Sequence, residues 1–235
     1  MPHSDKEHRR PGAHARGEAN QRTRDFVRRR WQLLALLALG FSTVVVVTAL
    51  FEPAGFIRGF ILGAGLTAVA AVLCFVVLMN DGSYTWRRGA DAEELTADLL
   101  HRRLPDWDVV HGMFLVSADI DHVVVGPGGV VAVETKWTTV DWETQRGKSR
   151  TYLAALHQAR RSAERLQRYL RSKGLEAEVD AMLVIWGRGA PSFGEGRKRV
   201  DGVLVVDGTA NPEIASQLVN RGGFDAGAAL SALNS

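Results

Sequence analysis

The chain has 235 residues, 46% of them hydrophobic, and a formal net charge of +3, which is enough for one or two domains with a buried core. Residues 1–30 hold nine Lys or Arg against four Asp or Glu, whereas residues 31–235 hold 20 against 22. Because the excess charge is confined to the start, a uniformly basic nucleic-acid-binding fold is excluded. The single cysteine, Cys74, excludes an intrachain disulfide framework and a thiolate metal cluster.

Residues 1–30 form a basic tail that lacks apolar periodicity. We expect this tail to be disordered because it has too little apolar surface to bury. Its arginines suit contact with anionic lipid headgroups, but their effect on membrane orientation explains them without any ligand.

Two long apolar runs follow the tail. Residues 31–51 and 59–79 each contain 21 residues without a charged side chain. As helices they would each span roughly 31 Å, close to the ~30 Å hydrocarbon core of a bilayer. Between them, residues 52–58 include Pro53, Gly55 and two opposite charges, which predicts a tight turn. A signal peptide would have a shorter apolar run of ~7–15 residues, and a buried hairpin of a soluble protein is the other alternative. We predict a transmembrane hairpin with the lipid bilayer as its partner.

The basic residues around the two runs predict their orientation. Nine Lys or Arg precede the first run, Arg87 and Arg88 follow the second, and only Arg58 lies between them. The positive-inside rule then places both termini and the following domain in the cytoplasm, in a multi-pass protein of the cell membrane. Gly59 and Gly63 form a small-xxx-small pair, a weak indication that the hairpin associates into a homo-oligomer.

The pattern after a linker at residues 80–88 is that of an α/β domain over residues 89–221, with a helix or tail at 222–235. Gly126-Pro127-Gly128-Gly129 predicts a hairpin turn between two strands. The order of helix, three strands, helix, two strands and helix favours a mixed sheet. The predicted helices are 90–104, 152–173 and 211–220; the predicted strands are 107–115, 119–125, 130–137, 181–186 and 203–206, with a further short strand at 140–144 as an open alternative.

Acidic side chains occupy unusual places in the two hairpin strands. Asp119 and Asp121 share one strand face, and Glu134 shares a face with Lys136 two residues on. The hairpin turn would bring Asp121 close to Glu134, and two such carboxylates repel each other unless a cation lies between them. Two carboxylates and a backbone carbonyl that hold Mg²⁺, with a lysine nearby, suit phosphodiester hydrolysis. From the spacing alone, a structural role for these residues is an equal alternative.

Three blocks of sequence together resemble the nuclease-related domain (NERD) family, which is similar to the wider PD-(D/E)xK nuclease superfamily. The blocks are Gly89-Ala90-Asp91-Ala92-Glu93, Asp119-Ile120-Asp121-His122-Val123-Val124-Val125 and Gly129-Val130-Val131-Ala132-Val133-Glu134-Thr135-Lys136-Trp137. The resemblance covers about residues 87–206. It implies a restriction-endonuclease-like α-β-β-β-α-β core, a hydrolase that uses Mg²⁺ or Mn²⁺, and nucleic acid as substrate.

The resemblance also implies roles for individual residues. Asp121 and Glu134 would be metal ligands, and Lys136 would stabilise charge or orient water. Glu93 would be an auxiliary acid, which agrees with its place beside the apolar face of the first helix. The family pattern adds Gln158, although a helical wheel places it roughly 135° from the centre of the apolar stripe.

Other polar residues have simpler interpretations. His122 faces away from Asp121, which favours a structural role, and Asp119 is better explained as a strand-start residue than as a ligand. The helix over 152–173 has a basic face that suits phosphate contact, but such a face is more often simply solvated. The basic face comprises Arg160, Arg161, Arg165, Arg168, Arg171 and Lys173.

The alternative to a nuclease is an inactive binding or scaffold module at the membrane, and a structural assembly protein is a third hypothesis.

Overall fold

The computed structural model describes residues 10–115, 118–140, 150–218 and 225–233. The chain divides into two compact units. One unit is Ala15–Arg87, and the other combines Met1–His14 with Arg88–Ser235.

Two helices make up most of the first unit: α1, Ala13–Leu50, and α2, Phe56–Asn80. Both are long and apolar enough to cross a membrane. Large apolar side chains remain exposed on them, including Leu36 at 66% and Phe60 at 63%. A core helix of a soluble protein would bury such side chains, so the buried-hairpin alternative is disfavoured. Because α1 begins at Ala13, the prediction of a disordered tail is wrong for residues 13–30.

The turn between α1 and α2 is held by an arginine. Arg58 donates from Nε to the carbonyl oxygen of Ala49 at 3.0 Å, and its guanidinium also donates to the carbonyl oxygens of Leu50 and Glu52. The carbonyls of Ala49 and Leu50 lie in the last turn of α1, where carbonyl groups lack intrahelical donors, and that of Glu52 lies just beyond the helix. The predicted turn is thus confirmed, but it is shorter than residues 52–58 because α2 already begins at Phe56.

Close approach of α1 and α2 occurs at a different glycine from the predicted pair. A Cβ added to Gly65 would lie 2.6 Å from the Cγ1 of Val45, whereas Gly59 and Gly63 have no such neighbour within 4 Å in the described chain. Gly65 therefore allows the two helices to pack. Association of the hairpin with another copy through Gly59 and Gly63 stays a prediction.

The second unit contains a six-stranded mixed sheet in the order β1-β2-β3-β4-β6-β5. β3 pairs with β4, and β4 with β6, in parallel; the other neighbours are antiparallel. Gly126 lies opposite Gly129, which confirms the predicted hairpin. The strands are β1 Asp108–Leu115, β2 Ala118–Gly126, β3 Gly129–Trp137, β4 Val179–Trp186, β5 Arg197–Val200 and β6 Val203–Asp207.

Helices cover both faces of this sheet. α3, Tyr84–Arg103, buries Leu99 and Leu100 against one face, in a cluster that includes Val131 and Val133. α4, Arg150–Ser172, and α5, Ala226–Leu233, lie on the other face, whose cluster includes Val130 and Ala132. The alternation along β3 therefore follows the two-residue period expected of a strand buried on both sides.

Several element bounds differ from the predictions. α3 begins at Tyr84, inside the predicted linker. The predicted helix over 211–220 is absent from the described residues, which hold two short 3-10 turns at Gly208–Ala210 and Ala215–Gln217. Pro212 and the left-handed Asn211, φ 48°, break any longer helix here. Residues 141–144 of the open strand alternative lie outside the described residues.

Candidate metal and catalytic site

The site begins where β2 and β3 stop pairing. Their pairing runs from Gly126 and Gly129 to His122 and Val133. Just beyond, the carboxylate of Asp121 accepts a hydrogen bond from the backbone N–H of Thr135, with Oδ2 and N 2.7 Å apart. A side chain thus takes over a backbone donor of β3, and this bond places the Asp121 carboxylate beside the end of that strand.

Glu134 is the buried centre of the site. Its side chain is 1% exposed, although it follows the apolar residues 129–133 of β3. Lys136 Nζ lies 2.7 Å from Glu134 Oε1, and Gln158 Nε2 donates to the same oxygen. Ser162 Oγ lies 3.4 Å from Oε2. Glu134 faces α4, and Lys136 lies on the same face of β3, as the two-residue period predicts.

The electrostatics of the cluster are dominated by carboxylates. Burial raises the pKa of Asp121 well above its usual value, and the charges of Glu134 and Glu93 raise it further. Burial also raises the pKa of Glu134, against the opposing effect of Lys136. Burial alone would lower the pKa of Lys136, but the neighbouring carboxylates outweigh it and raise that pKa. Three carboxylates face one ammonium group, so an added cation would relieve the repulsion.

Glu93 reaches this cluster from α3. Burial raises its pKa, with repulsion from Asp119 and Glu134 acting in the same direction. One turn further along α3, the buried Thr96 hydroxyl accepts a hydrogen bond from Trp186 Nε1 at 2.7 Å and lies 3.1 Å from Thr135 Oγ1. These buried hydrogen bonds tie α3 to the ends of β3 and β4 and so fix the position of Glu93.

The structure brings together all five residues that the sequence and the resemblance singled out. Asp121, Glu134, Lys136 and Gln158 are linked through hydrogen bonds around β3, and Glu93 is close enough for its charge to act on Asp121. The helical-wheel argument against Gln158 is wrong. Gln158 lies at the edge of the buried face of α4, and its long side chain reaches Glu134. The catalytic roles of these residues stay predictions.

His122 and Asp119 lie around this cluster. His122 is fully buried on the α3 side of the sheet, with its Nδ1 2.9 Å from Nδ1 of His111. Burial and the charge of His111 lower the pKa of His122 to about 3, so it is neutral near pH 7 and acts as a packed residue. Asp119 is half-buried, and burial raises its pKa.

The donor set fits a hard divalent cation. Mg²⁺ uses one or two carboxylates and keeps several of its waters, which matches the pair Asp121 and Glu134. The described residues contain no group of three or more His, Cys, Asp or Glu placed to hold a metal ion, and metal binding stays a prediction. These oxygen donors do not suit a metal that prefers thiolate ligands or several histidines.

One contact of the site was not predicted. The backbone N–H of Gly12 donates to Glu93 Oε2 at 2.8 Å, across 81 positions of the sequence. The signal available in the sequence was the dipeptide Pro11-Gly12, a common turn former. It marks a turn but cannot show what the turn contacts.

The fold and the site together define an α/β domain with a buried cluster of carboxylates and one lysine at the end of a mixed sheet. Residues 88–186 match the model of the nuclease-related domain family, NERD, which confirms the resemblance read from the sequence. The match runs from the first turns of α3 to the end of β4 and contains Glu93, Asp121, Glu134, Lys136 and Gln158. No curated protein and no solved structure matches the chain.

Proposed function

We propose that this chain is a membrane-anchored, metal-dependent nuclease that hydrolyses phosphodiester bonds of cytoplasmic nucleic acid. One observation carries the proposal: Asp121, Glu134 and Lys136 lie together where the pairing of β2 with β3 ends. The NERD match over residues 88–186 supports it. The order α3-β1-β2-β3-α4-β4 also supports it, because the family resemblance implies an α-β-β-β-α-β core.

Each residue has a role in this proposal. Asp121 and Glu134 would hold Mg²⁺ or Mn²⁺, which supplies Lewis-acid activation of water and charge neutralisation at the phosphate. Lys136 stabilises the negative charge that develops on the phosphate oxygens. Gln158 holds the Glu134 carboxylate in place through its hydrogen bond to Oε1, and Glu93 adds a third carboxylate at the edge of the site.

Basic side chains on α4 support a polyanionic substrate. On α4, Arg161 lies one turn after Gln158 and Arg165 lies one turn after Ser162. The two arginines therefore lie next to the site along the helix. Neither arginine has a hydrogen bond or ion pair within the described part of the chain, whereas Arg160 donates to the Asp201 carbonyl and Arg171 pairs with Glu176. Guanidinium groups at these positions of α4 suit the phosphates of a nucleic acid.

Metal removal is the direct test of this function. The full chain, purified in detergent, should cleave single- or double-stranded DNA or RNA with Mg²⁺, lose the activity in EDTA, and regain it when Mg²⁺ or Mn²⁺ is restored. Glu134→Gln purified identically controls for contaminating nucleases and should be inactive. Cleavage that persists in EDTA, or that is equal in Glu134→Gln, would contradict the proposal.

One observation favours an inactive binding or scaffold module instead. Glu134 Oε1 already accepts hydrogen bonds from both Lys136 and Gln158. In this function Glu134 and Lys136 form an ordinary buried ion pair and hold no metal. This function predicts nucleic-acid binding that is unchanged by EDTA and no cleavage with any divalent ion. The same purified chain tests both functions in one experiment.

The orientation of the membrane anchor can be tested by labelling introduced cysteines, because the single natural cysteine is easily replaced. In a Cys74→Ser background, Ala54→Cys lies in the exposed turn between α1 and α2, and Asp98→Cys lies on the exposed face of α3. With both termini cytoplasmic, a membrane-impermeant maleimide should label Ala54→Cys in intact cells and Asp98→Cys only after permeabilisation. The reverse labelling pattern would overturn the orientation, and labelling of neither after detergent treatment would signal misfolding.

A further inference from the structure

Gly12 lies outside the matched family segment, yet it contacts the candidate site. Its backbone N–H donates to Glu93 Oε2 at 2.8 Å. Gly12 is buried, and it belongs to the same compact unit as Glu93. A residue that precedes both apolar helices in the sequence is thus part of the surroundings of the carboxylate cluster.

The local structure accounts for a glycine at this position. Ala13 N donates to the Arg10 carbonyl oxygen at 3.2 Å, and this bond closes a turn with Pro11 and Gly12 at its centre. Gly12 has φ +72°, and an added Cβ would lie 2.7 Å from the backbone oxygen of Ala90. A side chain is therefore excluded both by the left-handed backbone and by the packing against α3.

We propose that Gly12 is a positioning residue: its amide holds the Glu93 carboxylate in the acidic cluster, which makes the segment before the anchor a working part of the site. The proposal rests on the proposed nuclease function. Repulsion from Glu134 and Asp119 would otherwise favour rotation of the Glu93 side chain toward solvent, and a hydrogen bond to a fixed backbone donor opposes that rotation.

Hydrogen exchange of the detergent-solubilised full chain tests the contact independently of activity. The Gly12 amide should be protected in the wild type, and Glu93→Ala should speed its exchange about tenfold or more, as expected for loss of a hydrogen bond to a charged group. Asp98→Ala, which removes an exposed carboxylate of α3, should leave the exchange unchanged. A Gly12 amide that is unprotected in the wild type, or insensitive to Glu93→Ala, would overturn the proposal.

A double-mutant cycle tests the positioning role. Gly12→Ala should lower kcat about tenfold with KM unchanged, and should have no further effect in a Glu93→Ala background. Gly17→Ala is the matched control, because Gly17 is helical with no neighbour within 4 Å of an added Cβ. Additive losses in the double mutant would show a merely structural effect and overturn the proposal. Absence of cleavage by the wild type would count against the nuclease function alone, since the exchange result decides whether Gly12 holds Glu93.

Discussion

Replacing Lys136 by methionine is expected to lower nucleic-acid cleavage by about 10²–10³-fold, the usual effect of removing one group that stabilises transition-state charge. Methionine keeps the length and apolar stem of the side chain, so the loss would reflect the missing ammonium group. Lys136 Nζ lies 2.7 Å from Glu134 Oε1 and its side chain is 32% exposed, which leaves part of it accessible to a substrate.

Lys136→Met should also destabilise the folded chain in a pH-dependent way. Burial already raises the pKa of Glu134, and the ammonium group of Lys136 opposes that rise. Without it the Glu134 pKa rises further, which penalises the folded state once pH exceeds the unfolded value of ~4.3. We expect a loss of about 2–3 kcal/mol at pH 7, less than for a fully buried pair because Lys136 is partly exposed. The loss should disappear near pH 3.

The measurement is metal-free thermal unfolding of the full chain in one detergent across pH 3–8, alongside a cleavage assay. Lys198→Met is a suitable control, because Lys198 is exposed on the edge strand β5. Retained cleavage in Lys136→Met would remove the residue from the catalytic mechanism. A stability loss that is the same at pH 3 and pH 7 would show that Lys136 does not act through the charge of Glu134.

Asp121→Asn is expected to abolish cleavage while making the metal-free chain more stable at neutral pH. Burial, Glu134 and Glu93 all raise the pKa of Asp121, so ionising it in the folded state is unfavourable. An acid with a raised folded-state pKa destabilises the fold as pH rises above its unfolded value of ~3.9, and not below it. Asparagine removes this penalty and keeps an oxygen that can accept from Thr135 N. We expect a gain of about 1–3 kcal/mol at pH 7.

Thermal unfolding with and without Mg²⁺ checks this second effect. Mg²⁺ should raise the Tm of the wild type, because a ligand that binds only the folded state stabilises that state. The Tm of Asp121→Asn should not change when Mg²⁺ is added. Asp98→Asn, at an exposed carboxylate, controls for a general change of charge. A variant less stable than the wild type at pH 7 would mean that Asp121 stabilises the fold through its hydrogen bond to Thr135 more than its charge destabilises it.

Much of the site was predictable because it depends on local periodicity. The turn at residues 126–129 placed β2 against β3, and the two-residue period placed Glu134 and Lys136 on one face. The position of Glu93 on α3 followed from helical spacing. The family resemblance includes Gln158 and the helical wheel does not, since a wheel describes the direction of a Cβ and not the reach of a long side chain.

Other features depended on partners distant in sequence. The short strand β5 has the sequence Arg-Lys-Arg-Val. These polar residues do not show the pattern of a strand, although β5 pairs with β6 at the edge of the sheet. The tail was expected to be disordered from its composition, yet residues from Ala13 onward continue the helix that forms the first apolar run. Composition describes what a segment can bury by itself and omits what a continuous helix adds.

The sequence alone determined the two apolar helices, the mixed α/β domain and the acidic hairpin, because each is written in residue spacing or in an uninterrupted apolar run. Only the tertiary structure showed that Asp121 takes the N–H of Thr135, that Gln158 reaches Glu134 and that Gly12 binds Glu93. These contacts join residues 14 to 81 positions apart, and their existence depends on how helices and strands pack, which no local pattern encodes.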